Sequence, residues 1–256
     1  MRFFLMSLSI LMVFLFQGCA SPDRSKALVV IDAGHGGHDS GASAEAKNEK
    51  DLVLSIAKKV KQTLRQKGHP VILTRGNDTF LTLGQRTRIA DKKDAAIFIS
   101  IHANAAPKAK YNEKMEGIET YFLQKSKDEK SQKIAERENA SVLMGTDQLS
   151  KDVIIDSVLN GPKIIESHKL AIDIQNEMVR NLQNSYGNVK DGGVRPAPFY
   201  ILVGASRPSI LIEVGYITNP KERQRLFESD YQSAIAEGVA DGIGRYLVNR
   251  QKEIDL

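Results

Sequence analysis

The sequence predicts an α/β fold, a single domain with a mainly parallel or mixed central sheet of about six strands and helices on both faces. Three observations carry this. Short apolar runs rich in β-branched residues, such as Ala27 to Ile31 and Ala95 to Ile101, suit strands buried on both faces of a sheet. Stretches with apolar residues at helical spacing, such as Asn48 to Leu64 and Ile164 to Tyr186, separate runs of that kind. The two kinds alternate at the spacing that parallel connections need, with no repeat and no second domain.

In chain order, the first strand, Ala27 to Ile31, runs into DAGHGGHDSG, where Gly34, Gly36, Gly37 and Gly41 surround His35. Glycine tolerates positive φ and close approach, so this turn can display an imidazole without crowding what binds there. In open α/β sheets, ligands sit beyond the carboxyl ends of the strands, where His35 falls. Asn48 is an N-cap residue with Asp51 three positions on, and Val53, Ile56, Ala57, Val60 and Leu64 keep helical spacing until Gly68. His69 to Thr74 reads as the second strand, Gly76 to Asp78 as a turn and Gly84 to Lys92 as a short helix. The third strand, Ala95 to Ile101, ends in HANAA, so His102 also stands at a strand terminus. Gly117 to Leu123 is expected as a strand at the sheet's edge. A charged helix over Lys130 to Val142, an unassigned stretch and the amphipathic helix from Ile164 to Tyr186 follow. Gly192 to Pro198 reads as loop, Phe199 to Val203 and Ser209 to Val214 as closing strands, and Tyr231 to Leu247 as a final helix.

Ahead of this block, MRFFLMSLSILMVFLFQGC carries Arg2 and then a nearly unbroken apolar run from Phe3 to Phe16. At about 14 residues the run is shorter than the roughly 20 that span a bilayer, and it ends at small residues rather than a positive flank. Residues 1–18 are read as an export signal that resembles the bacterial lipoprotein type, with Cys19 as the acylated residue and 19–26 as the linker behind it. Phe16 and Gln17 depart from that pattern, and soluble secretion with an idle Cys19 is the alternative. Cys19 is the only cysteine, so it has no internal disulfide partner. The location this implies is the cell envelope or periplasm, with a lipid anchor to a membrane; no aspartate follows Cys19, which permits the outer membrane. The formal net charge is +5, but lysines and glutamates are interleaved and tryptophan is absent, which argues against a nucleic-acid partner.

Two strand-end histidines need further ligands before they mean anything. Glu49 opens the helix after the glycine loop, where the positive end of the helix dipole favours an ionised carboxylate. His35, Glu49 and His102 together make two imidazoles and a carboxylate with an open fourth position, a catalytic zinc set rather than a closed structural one. Glu213 lies in ILIEVG, flanked by Ile210, Leu211, Ile212 and Val214 on a core strand, where an unpaired ionised carboxylate costs several kcal/mol. It is assigned as general base, taking a proton from the attacking water and passing it to the leaving nitrogen, with zinc polarising the carbonyl.

With DAGHGGHDSGA, NEKDLVLSIA, SIHANA and IEVGYITNP in view, the chain resembles the zinc-dependent N-acetylmuramoyl-L-alanine amidases of the cell-division type. LGQRTRIA, AEREN and GGVRPAPFYIL look like that family in order and spacing, and the likeness spans Leu28 to Tyr246. It implies a catalytic domain over 27–250, one zinc ion per chain held by His35, Glu49 and His102, and Glu213 as catalytic residue. The implied substrate is peptidoglycan, cut between N-acetylmuramic acid and the L-alanine of the stem peptide during wall remodelling and daughter-cell separation. In some relatives an insertion covers the zinc until a protein partner moves it. The stretch 140–162 is the corresponding candidate here, with Asp152 or Asp156 able to reach the metal; a loop and short helix packed on the surface is the alternative.

The remaining polar residues have plainer readings. His38 is three residues from His35 but in a loop too glycine-rich to align the pair, and reads as a group behind the ligands or on the substrate side rather than as a ligand. His69 and His168 read as solvated, and Asp39 as a loop acceptor rather than a ligand. Asn104 either donates to substrate or caps its loop. Arg86 and Arg88 invite a reading as carboxylate clamps, although a surface helix with a salt bridge is the simpler account. Glu138 and Asn139 are placed near the cleft by the resemblance but are not assigned to catalysis. Two other functions remain open, a zinc carboxypeptidase or endopeptidase on the stem peptide and a peptidoglycan-binding lipoprotein without turnover.

Overall fold

The run Val29–Ala33 forms strand β1 with every residue buried, because it pairs in parallel on both edges and both its faces are covered. Its partners are β4 (Val71–Leu73) and β5 (Ile97–Asn104). The structure, a computed structural model, describes residues 27–142 and 161–255. The export signal, Cys19, the linker up to residue 26 and positions 143–160 of the expected insert lie outside the described residues. After β1 come a small hairpin, β2 (Ser43–Ala44) and β3 (Lys47–Asn48), and helix α1 (Glu49–Gln66). Helix α2 (Leu83–Lys92) precedes β5, and β6 (Ile118–Leu123) and α3 (Glu129–Val142) follow it. The chain then forms α4 (Pro162–Tyr186), β7 (Asp191–Ala197), α5 (Tyr200–Val203), β8 (Ser209–Tyr216), α6 (Pro220–Leu226) and α7 (Ser229–Ile254).

One six-stranded mixed sheet results, in the order β4, β1, β5, β8, β6, β7. The first four run parallel, β6 is antiparallel to β8, and β7 is parallel to β6. Helices cover both faces. On one, Leu52, Ile56 and Val60 of α1 join Ile174 and Met178 of α4 and Val239 and Ile243 of α7 in a single apolar core. On the other, Ala90, Ile134 and Leu202 pack with Val30, Phe98, Tyr121 and Leu211. Helices α4 and α7 approach closely: a methyl group added at Gly238 would lie 2.5 Å from Met178 Cα.

Several local expectations change. Strand β6 is internal, between β8 and β7, rather than at the edge. Gly192 to Pro198 is not loop, since β7 forms the edge and pairs Pro196 with Phe122; a proline fits there because an edge strand leaves one side of its ladder unused. Phe199 to Val203 is a one-turn helix, α5, and not a strand; so short an apolar run has no periodicity to separate the two. Helix α6 was not anticipated: Asn219 caps it, accepting from the backbone of Lys221 and Glu222, with Pro220 in the first turn. Asn48 stands at the N-cap of α1 but does not cap it, because its Oδ1 accepts from Ser43 Oγ at 2.8 Å. Among the described residues no helix is long and apolar enough to cross a membrane.

Candidate metal centre

The centre is built from the end of β1. Asp32 is buried and accepts from Thr74 Oγ1 at 2.6 Å, Ser100 Oγ at 2.8 Å and Arg86 Nη1 at 2.9 Å. Burial works to raise its pKa, but Arg86 and these hydrogen bonds outweigh it and hold the carboxyl below its ordinary value. Arg86 also donates to the carbonyls of Ala33 and His35, each at 2.7 Å. Arg75 holds the carbonyls of Ala33 at 2.9 Å and Gly34 at 2.7 Å. Two guanidinium groups thus grip three consecutive carbonyls, and on them the chain bends so that His35 takes φ 58°, a left-handed conformation unusual for a residue with a side chain. Arg86 was expected on a surface helix; it is only 4% exposed and its salt bridge is to a buried aspartate. Arg88 is exposed.

His35 faces inward from this bend. Its Nδ1 lies 2.9 Å from Asp39 Oδ2, and Asp39 Oδ1 accepts from Gly41 N at 3.1 Å. Asp39 is therefore the loop acceptor expected, and it also orients the imidazole. Gly34 is required beneath His102, since an added methyl would fall 2.5 Å from that ring. The two rings meet edge to face at 4.8 Å. Glu49, at the start of α1, accepts through Oε2 from Ala42 N and through Oε1 from Ala103 N, both at 2.9 Å. Its Oε1 lies 3.1 Å from His35 Nε2 and 3.1 Å from His102 Nδ1. Although burial works the other way, His35 and these hydrogen bonds bring the Glu49 carboxyl down to about 2. Burial likewise opposes the charging of His102, yet Glu138 and Glu49 raise it to about 9.

Glu138, placed near the cleft but left without a role by the sequence, joins the centre. Its Oε2 is 3.3 Å from His35 Nε2 and 3.1 Å from His102 Nδ1. His35, Glu49, His102 and Glu138, all buried, each offer a ligand atom within 4.8 Å of the others. A signal was available: Ser131, Ile134, Ala135 and Glu138 are the buried residues along one stripe of α3, so the glutamate occupies a core-facing position. His35 Nε2 is buried and has no hydrogen-bond partner although two carboxylates face it. Two imidazoles and two carboxylates converging on one buried point are a donor set that fits a divalent cation at the centre of the four.

Glu213, on β8, is paired in register with His102 on β5. It is fully buried, and neither carboxylate oxygen has a hydrogen-bond partner among the described residues. Arg137 Nη2 approaches to 3.8 Å. Burial and the nearby Glu138 push its pKa well above the ordinary range, only partly opposed by Arg137. A carboxyl whose proton is favoured in this way is suited to accept one during a reaction. Arg137 itself donates to Glu138 Oε1 at 2.9 Å, Ala105 O at 2.8 Å and Asn104 Oδ1 at 3.2 Å.

The other singled-out residues have structural contacts. Asn104 accepts from Ala105 N at 2.9 Å and donates to Glu119 at 3.2 Å, which is the loop-capping alternative. Asn139 binds the backbone of Pro198 and Tyr200. His38 packs against Phe80 with tilted rings at 4.1 Å, His168 is exposed and stacks on Phe122 at 4.4 Å, and His69 is half-buried.

Residues 29–245 match the Amidase_3 family, described as N-acetylmuramoyl-L-alanine amidase. The N-acetylmuramoyl-L-alanine amidase AmiA of Escherichia coli is 32% identical over 232 residues, covering 89% of this chain and 78% of that one. The solved structure of amidase AmiC2 of Nostoc punctiforme superposes with a TM-score of 0.66 at 33% identity, covering 87% of this chain and 98% of the other. The CwlD amidase of Clostridioides difficile, solved in complex with the GerS lipoprotein, gives 0.64 at 26% identity, with 87% and 99% covered.

Proposed function

The chain belongs to the N-acetylmuramoyl-L-alanine amidase family, and on that premise we propose that it is a zinc enzyme using His35, Glu49 and His102 as ligands and Glu213 as general base. The reaction is hydrolysis of the amide between N-acetylmuramic acid and the L-alanine of the stem peptide in peptidoglycan. One observation carries the residue assignment: Glu213, buried and without a hydrogen-bond partner among the described residues, stands in register beside His102. A zinc ion would supply Lewis-acid polarisation of the carbonyl and ease the ionisation of water. Asp39 holds the proton on His35 Nδ1, which leaves Nε2 free to coordinate. Glu213 takes the proton of the attacking water and returns it to the leaving nitrogen, with Arg137 limiting how tightly that proton is held.

Glu138 gives the centre a fourth protein donor, whereas catalytic zinc sites keep one position open. The position it fills is the one that water and the scissile carbonyl need, so turnover requires Glu138 to withdraw. Helix α3, which carries it, leads directly into residues 143–160, and this supports 140–162 as a regulatory insert under the control of a protein activator. The remainder of the reading follows from the leader: export by residues 1–18, an anchor through lipidated Cys19, the linker 19–26, and action in the envelope or periplasm during wall remodelling and daughter-cell separation.

Protein lacking residues 1–18 is to be incubated with purified peptidoglycan, with and without zinc, beside Glu213→Gln, and the products weighed by mass spectrometry. Intact L-alanine-terminated peptides released by the zinc form alone are the expected result. Trimmed stem peptides would instead make it a carboxypeptidase or endopeptidase. No product from wild type or from a deletion of residues 150–160 would overturn the enzyme reading in favour of a peptidoglycan binder.

A further inference from the structure

Glu119 is a fully buried carboxylate with no part in the chemistry assigned to Glu213 and the ligands. It lies on β6 in register with Glu213 on β8, and Glu213 in turn is in register with His102 on β5. Residues in register on neighbouring strands share a face of the sheet, so Glu119 stands on the face that carries the centre. A carboxylate is costly in such a place unless its oxygens are satisfied. Oε1 accepts from Lys130 and lies 3.5 Å from Arg195 Nε. Oε2 accepts from Tyr121 Oη at 2.9 Å, Asn104 Nδ2 at 3.2 Å and Tyr216 Oη at 3.4 Å.

The bond to Asn104 leads to the reacting groups. Asn104, also fully buried, accepts through Oδ1 from Ala105 N at 2.9 Å and Arg137 Nη2 at 3.2 Å. Turned over, the amide would set its NH2 against a backbone N–H and a guanidinium, and its oxygen against a carboxylate, so every contact would fail together. Glu119 therefore fixes which way Asn104 faces, and Asn104 presents an oxygen to Arg137. The same Nη2 lies 3.8 Å from Glu213 Oε1. Arg137 is bonded to Glu138 as well, but its anchors on Asn104 Oδ1 and Ala105 O do not involve Glu138. They hold the guanidinium beside Glu213 from the end of β5.

We propose that Glu119 and Asn104 are positioning residues for the hydrolysis, seating the Arg137 guanidinium at Glu213 and so fixing where positive charge lies relative to the general base. The assignment rests on the amidase reading, which makes Glu213 that base. The effect of both residues passes through Arg137, and it appears in kcat with KM retained.

The test is a double-mutant cycle on zinc-loaded protein, reading release of L-alanine-terminated peptides from solubilised peptidoglycan, with zinc per chain measured for every variant. Glu119→Gln has one oxygen and cannot accept from both Lys130 and Asn104; Asn104→Leu removes both amide groups at similar volume and leaves Glu119 paired with Lys130. Each should lower kcat about 10- to 100-fold, the cost of a misplaced group near the chemistry, with KM and zinc unchanged. In an Arg137→Met background neither should lower kcat further, because the group they place is gone. Should Glu119→Gln fail to fold, Asn104→Leu carries the cycle. Gln175→Leu is the structural control: Gln175 bonds Thr120 Oγ1 and Ile118 O on the opposite face of β6, and its loss should lower the urea midpoint with kcat kept. Repeating the cycle with Glu138→Ala should give the same losses. Unchanged kcat, lost zinc, an effect on KM alone, losses that multiply in the Arg137→Met background, or losses that vanish with Glu138→Ala would overturn the proposal. Any of these beside active wild type leaves the amidase reading standing, whereas wild type that releases no peptide overturns that reading and this proposal with it.

Discussion

Arg86→Met tests how the His35 bend is held. Arg86 is 4% exposed and donates to Leu81 O, Asp32 Oδ1, Ala33 O and His35 O. Methionine keeps the stem and removes every donor. Asp32 retains Thr74 and Ser100, and Ala33 O retains Arg75, so what loses its Arg86 donor without replacement is the Asp32 charge and the carbonyls of His35 and half-buried Leu81. Breaking one side of a buried ion pair costs about 3–5 kcal/mol, a large share of the roughly 5–15 kcal/mol that holds a domain together. Urea titration should show a lower midpoint at unchanged slope. Asp32→Asn in the same chain should recover part of the loss, because it removes the stranded charge. The effect has a pH signature. Asp32 is held below its ordinary value, so the pair contributes fully above about pH 3.9 and is lost as pH falls through the lower native pKa. Zinc affinity should also fall about 10- to 100-fold, the cost of loosening what orients a ligand. A loss under about 1 kcal/mol, the scale of a surface pair, would refute the argument.

Three further outcomes are expected. Glu213→Gln should lower kcat about 10²- to 10⁴-fold with zinc still bound. In chelator its stability advantage over wild type should grow as pH rises from about 4.3, because the native state holds the Glu213 proton more tightly than the unfolded chain; parallel pH–stability curves would contradict this. Glu138→Ala should raise turnover while one zinc per chain remains by metal analysis, and a drop in turnover at full occupancy would show that Glu138 does not obstruct the centre. Gly238→Ala, which presses a methyl group against the Met178 backbone, should cost about 1–3 kcal/mol in thermal or urea unfolding with activity at low temperature retained.

What could be read from the linear chain followed from how far each local signal extended. Helices α1 and α4 repeat their apolar stripe over several turns, so periodicity identifies them, whereas β5 and β8 are continuous runs rich in β-branched residues, identified by their length and composition. Strand β7 and helix α5 carry five-to-seven-residue signals in which glycine, proline and a short apolar run point the wrong way, and their neighbours in the sheet settled them. His35, Glu49, His102 and Glu213 were legible because each stands at a place where its residue type is costly or unusual: a glycine-rich turn, a helix start, a strand end, an apolar strand.

The sequence by itself therefore determined the fold class and the family, and it singled out His35, Glu49, His102 and Glu213 as candidates. Only the tertiary structure decided that Glu138 lies beside His35, Glu49 and His102, and that Arg86 is a buried brace joined to an aspartate 54 positions away. The reason is physical. A residue's local periodicity states which side of its own element turns inward, but what it meets there depends on elements brought beside it from elsewhere in the chain, and the charge of a buried group is set by those neighbours.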